Sequence, residues 1–180
     1  WEVVWLPTTI SVLVLIILLM CSALVSGAEV AFFSLTPSDK ESLTDQQDKA
    51  AIVTLELLEK PRNLLATILI TNNFINVAII LISTYLSSQL IPEGTLSPGV
   101  KTFVDVFLIT LILLLFGEVI PKVYAAKNGT KVALLMAKPL KLIGRTFPFN
   151  LLKKGLVQGT DIINKRVKKK VKELSPDDLA

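Results

Sequence analysis

The sequence predicts an all-α membrane protein, with three transmembrane helices and amphipathic juxtamembrane helices beside them. Three observations predict it. Of the 180 residues 52% are hydrophobic and the mean hydropathy is +0.62, more apolar than an ordinary soluble domain. The apolar residues come in blocks: residues 3–28 and 63–92 carry no charge, and residues 103–122, FVDVFLITLILLLFGEVIPK, form a third block. Each is long enough to cross the hydrocarbon, which takes about 20 residues at 1.5 Å per residue. The basic residues are asymmetric. Of nineteen Lys and Arg, four lie between the first two blocks, Lys101 alone lies between the second and third, and fourteen lie from Lys122, the last residue of the third block, onward. By the positive-inside rule the N-terminus is external, the first connection cytoplasmic, the second external and the tail cytoplasmic. The basic tail is read as this topology signal rather than as a nucleic-acid site.

The first span covers about residues 7–28. It is too long for a signal peptide and has no basic segment before it. Because the first residue is Trp, the start is read as trimmed. On a helix Ser22, Ser26, Glu29 and Phe33 share one face, so two hydroxyls and a carboxylate lie in one stripe. Serines at such positions also serve helix packing. Glu29 is either interfacial or a partner for a buried Lys or Arg. Cys21 lies within this span and has no second cysteine to pair with.

Pro37-Ser38-Asp39 predicts a turn with Ser38 or Asp39 as N-cap, then an amphipathic pair of helices over residues 38–60, ended by Pro61. The second span, residues 63–88, carries TNNFIN, with three amides, Asn72, Asn73 and Asn76, inside the membrane. Each is expensive there unless satisfied, as interhelical contacts worth about 0.6–2 kcal/mol or as ligands. The external loop, rich in Pro and Gly, is too short to hold an enzyme. The third span, residues 100–120, ends by placing Glu118 next to a helix breaker. A carboxylate in hydrocarbon costs roughly 2.5–3.5 kcal/mol without a partner. Pro121 has no amide hydrogen, which leaves the Gly117 carbonyl without its helical partner. Such backbone survives at membrane depth only inside protein or against a wet cavity.

Residues 130–158 are apolar but broken by prolines and basic residues, and predict interfacial helices facing anionic headgroups. Together residues 1–160 form the membrane domain. Residues 161–180 predict a charged cytoplasmic helix and a linker to a cytoplasmic domain that is absent from this chain.

Ser22 and Ser26, Asn72 and Asn73, and Glu118 with the Gly117 carbonyl thus offer an all-oxygen set from three spans. Hard cations such as Mg²⁺, Ca²⁺ or Mn²⁺ match it, whereas zinc and copper look for sulfur or imidazole, and the chain has no histidine. That absence, with no nucleophile–base pair in these blocks, argues against an enzyme. A single carboxylate among neutral oxygens suits an ion that must leave again.

The sequence resembles the transmembrane module of the CorC and cyclin M magnesium transporters. The likeness rests on SALVSGAEVAFFS from Ser22 to Ser34, ILITNNFINV from Ile68 to Val77 and GEVIPK from Gly117 to Lys122, although Thr71 stands where many members have glycine. It implies a homodimer in the inner (plasma) membrane, with Mg²⁺ as substrate held by Ser22, Ser26, Asn72, Asn73, Glu118 and the Gly117 carbonyl. Glu29, Ser34 and Asn76 would support that site or hold a coupling ion, and Pro121 would break the helix. Export of magnesium driven by entering sodium is the family reading; ATP would act only through the absent cytoplasmic domain. The alternative is a membrane-anchored scaffold without transport.

Overall fold

The computed structural model describes residues 2–46, 48–91, 94, 95, 97–146, 151 and 155. The described part is built of helices: α1 (Glu2–Phe33), α2 (Pro37–Asp45), α3 (Lys49–Leu58), α4 (Pro61–Leu90), α5 (Pro98–Ile112), a π-helical turn (Leu113–Val119), α6 (Ile120–Lys127) and α7 (Gly129–Arg145). Among the described residues three stretches are long and apolar enough to cross a membrane: Pro7–Phe33, Pro61–Leu90 and Pro98–Lys127. The all-α membrane class follows directly. The charged helix expected over residues 161–180, and the part of the juxtamembrane segment beyond Thr146 apart from Leu151 and Gly155, lie outside the described residues.

Helix α1 is the axis of the molecule, packing against α4, the π turn, α6 and α7. Its two halves differ in what surrounds them. Ile10, Leu13, Ile16, Ile17 and Met20 are exposed and suit lipid, whereas Ser22, Val25, Ser26, Ala28, Ala31 and Phe32 are buried. Phe32 rather than Phe33 enters the core, and the Glu29 side chain is already partly exposed, so the stripe read from the sequence leaves the interior after Ser26.

Within a bilayer there is little hydrophobic drive between helices, so close approach of small residues and polar contacts must join them. Gly27 of α1 meets α6 at Ala125, where a Cβ on Gly27 would lie 3.4 Å from the Pro121 carbonyl oxygen, and Ala28 and Ala31 belong to the same buried cluster as Ala125. Away from the lipid-facing stretch the core becomes conventional. Phe32, Leu35, Leu43, Leu64, Met136 and Leu140 pack together. Water is the alternative for such side chains outside the bilayer, where burial is worth about 1.5–3 kcal/mol each.

The connection to α2 differs from the expected turn. Thr36, not Ser38 or Asp39, is the N-cap; its hydroxyl accepts from the Asp39 amide at 3.2 Å while the Asp39 carboxylate accepts from the Thr36 amide at 2.8 Å. Pro37 takes the first helical position, where its missing N–H is harmless, and this moves the cap one residue upstream of it. The Thr36 bonds hold the Asp39 carboxyl below its ordinary range.

Helix α7 lies across the ends of α1, α3 and α4. Val132, Ala133, Met136, Ala137, Leu140 and Gly144 fall on its buried face, and Leu135 and Leu142 are exposed on the other. Lys141 forms an ion pair with Glu56 of α3.

Candidate functional site

The third span does not stop at its proline. Between Leu113 and Val119 the helix widens into a π turn, in which the Ile120 amide donates to the Leu115 carbonyl five residues back, and α6 then continues to Lys127. The expected break is therefore a change of helical register. The proline ring would clash with the Gly117 carbonyl, four residues earlier, in a regular α-helix. A widened turn relieves that clash without ending the rod, and such π turns cluster at functional sites.

The widened turn brings Gly117 and Glu118 against α1. Gly117 is buried, and a Cβ there would meet the Ser22 hydroxyl oxygen at 3.0 Å. Only glycine lets the turn lie this close to Ser22. From the other side, α4 presents Asn72 and Asn76, four residues apart and so on one face. The Ser22 hydroxyl lies 3.0 Å from Asn76 Oδ1 and 3.4 Å from Asn72 Oδ1, and Asn76 Nδ2 donates to Glu118 Oε1 at 3.4 Å. One polar chain thus crosses three helices.

The number of hydrogens decides what this cluster can do. A serine hydroxyl has one hydrogen, so it cannot fully serve both amide carbonyls. Two of the three contacts lie at 3.4 Å, beyond the ordinary range for a strong bond. One turn along α1, Ser26 is 1% exposed and its hydroxyl oxygen has no hydrogen-bond partner. Leaving such a group unmet costs about 1–3 kcal/mol. Oxygen lone pairs therefore outnumber donors, an arrangement that a cation would complete. Among the described residues no three acidic or cysteine side chains gather, and Glu118 is the carboxylate hydrogen-bonded into this cluster.

Of the residues singled out in the sequence, Ser22, Asn72, Gly117 and Glu118 are brought together, and Ser26 is buried one helical turn from Ser22. Asn73 is not brought in. It is exposed and its amide nitrogen donates to the Leu69 carbonyl of its own helix at 3.0 Å. Neighbours in sequence point about 100° apart on a helix, so the two asparagines cannot face one site equally. Asn76, expected only in support, occupies the middle. The four-residue spacing of Asn72 and Asn76 was the signal that identifies the pair. Glu29 forms an ion pair with Lys122 at 2.9 Å, with both side chains about two-fifths exposed, so the pair joins the expected basic partner to a partly exposed rather than a buried position. Ser34 donates to the Ala31 carbonyl at 3.3 Å and lies against Gly129, away from the cluster. Asp105 accepts from Ser87 at 2.6 Å, joining the last turn of α4 to the middle of α5.

Comparison with known proteins agrees in extent with this architecture. A profile of the cyclin M transmembrane N-terminal domain matches residues 13–180. A UPF0053 protein of Haemophilus influenzae is 32% identical over 158 residues, covering 85% of this chain and 36% of that protein. A UPF0053 protein of Synechocystis is 27% identical over 131 residues, 73% of this chain and 36% of its own length. The UPF0053 inner membrane protein YfjD of Escherichia coli is 32% identical over 114 residues, 62% of this chain and 25% of its own. The chain thus spans about a third or less of the curated relatives it matches. With the profile covering nearly all of its length, the chain belongs to the cyclin M transmembrane domain family.

Proposed function

We propose that this chain is the membrane module of a divalent-cation transporter, with magnesium as its substrate and Ser22, Ser26, Asn72, Asn76 and Glu118 as the oxygen site. The observation that carries the reading is a part-buried excess of lone pairs: the one hydroxyl hydrogen of buried Ser22 set between two half-buried amide carbonyls, beside an unpartnered Ser26. A hard ion of small radius takes oxygen ligands and tolerates a set poor in acids when it must be released. Family membership supports transport of a metal ion, and the resemblance of the three sequence blocks supports magnesium, exported against entering sodium. The name of the Escherichia coli relative supports an inner-membrane location.

The same contacts also favour a second reading, in which Ser22, Asn76 and Glu118 only join helices. Polar bonds between membrane helices average below about 1 kcal/mol, so they stabilise assembly modestly. A comparison of Asn76→Ala with Asn73→Ala separates the two. With the purified chain in liposomes loaded with a magnesium-sensitive dye, Asn76→Ala is expected to lower magnesium flux at least tenfold, while Asn73→Ala, on the exposed face, leaves it within about twofold. Equal flux in the two variants, with Asn76→Ala lowering only the melting temperature, would establish the joining role instead.

A further inference from the structure

We propose that a second site, the cleft between α3, α4 and α7, binds the headgroup phosphate of an anionic phospholipid. The inference is independent of the transport reading. The cleft has a volume of about 220 Å³ and is lined by Lys60, Lys141, Arg145, Asn63 and Glu56 above an apolar floor that includes Leu140. Three cations from the α3–α4 junction and from α7 thus converge, with one carboxylate among them. That carboxylate is already engaged, because Glu56 binds Lys141. Among the described residues neither Lys60 nor Arg145 makes an ion pair. The hydrogen bond from Lys141, with smaller contributions from the charges of Lys141, Arg145 and Lys60, holds the Glu56 carboxyl below its ordinary range.

Three further features select a lipid over a soluble anion. Lys60 is the N-cap of α4 and supplies no side-chain bond to its first turn, so the positive end of a thirty-residue helix adds to the cleft's charge. The charge-free span begins directly after Arg62, which sets the cleft at the height of lipid phosphates on the side where basic residues predominate. Leu65 and Leu142, each next in sequence to a lining residue, are 42% and 69% exposed and offer contacts to acyl chains that free phosphate would not use. Basic pockets at this depth suit anionic headgroups, which gain from both the charge and the apolar rim.

The test uses the purified full chain in detergent, titrated with phosphatidylglycerol or phosphatidylcholine and followed by thermal melting and native mass spectrometry. Phosphatidylglycerol is expected to raise the melting temperature and remain bound, and phosphatidylcholine to do neither. The K60Q/R145Q double variant should bind phosphatidylglycerol about 30-fold more weakly while melting normally without lipid, and K138Q, an exposed charge of α7 outside the cleft, should match the wild type. If the double variant does not fold, R145Q alone decides, with a loss of about fivefold expected. Equal weakening by K138Q would show diffuse surface attraction and overturn the proposal. So would full displacement of the lipid by inorganic phosphate at equal ionic strength, which would make the ligand free phosphate.

Discussion

Glu118→Gln is expected to abolish magnesium-dependent flux while the protein stays folded. The substitution keeps the length and planarity of the side chain, and one oxygen remains to accept the Asn76 amide that now lies 3.4 Å from Oε1. What it removes is the one negative charge in the cluster. The remaining groups are hydroxyls and amides, which replace the hydration of a divalent ion without offsetting its charge. Changes to groups that merely orient a metal's ligands cost 10–100-fold in affinity, so loss of the charged ligand should cost about 100-fold or more. Melting should move by no more than a few degrees, because only one long contact is altered. Titration of magnesium binding by calorimetry, beside liposome flux, would show both effects. Flux equal to that of the wild type would remove Glu118 from the site.

Gly117→Ala should act through packing rather than charge. The new methyl would lie 3.0 Å from both the Ser22 hydroxyl oxygen and Leu113 Cδ1. The end of the leucine can rotate away; the serine cannot, since it is fully buried and held between Asn72 and Asn76. The π turn must then back away from α1, at a cost of about 1–3 kcal/mol and with the Ser22–Glu118 geometry opened. Flux is expected to fall about tenfold or more, since a misplacement near 1 Å is enough to weaken a preorganised site. Adding Ser22→Ala to Gly117→Ala removes the clashing oxygen. The double variant should regain melting temperature but not flux, and recovery of both would mean that Ser22 fills space without contacting the ion.

Much of the fold could be read from hydrophobic blocks because a bilayer makes length and charge decisive. The three apolar stretches and the basic asymmetry need no tertiary information. The site was partly readable for the same reason: polar groups such as Asn72 and Glu118 stand out where they are costly. What the sequence could not supply was register. Pro121 reads as a break, yet the widened turn from Leu113 to Val119 carries the helix through it and sets Gly117 against Ser22. Adjacent asparagines likewise look equivalent until the rotation of α4 against α1 is fixed, and that rotation turns Asn76 inward and Asn73 outward. The cap at Thr36 is legible as a Thr three residues before an Asp, with Pro37 between them at the first helical position.

The most direct test of the account is an experimental structure of the chain soaked with manganese, a magnesium substitute whose anomalous signal locates it. A site of this composition predicts one peak per chain between α1, α4 and the π turn, with oxygens of Ser22, Ser26, Asn72, Asn76 and Glu118 as its ligands at about 2.0–2.3 Å. A peak that instead lies on Glu29 or Asp105, or a cluster whose side chains bond only to one another with manganese bound nowhere among them, would contradict it.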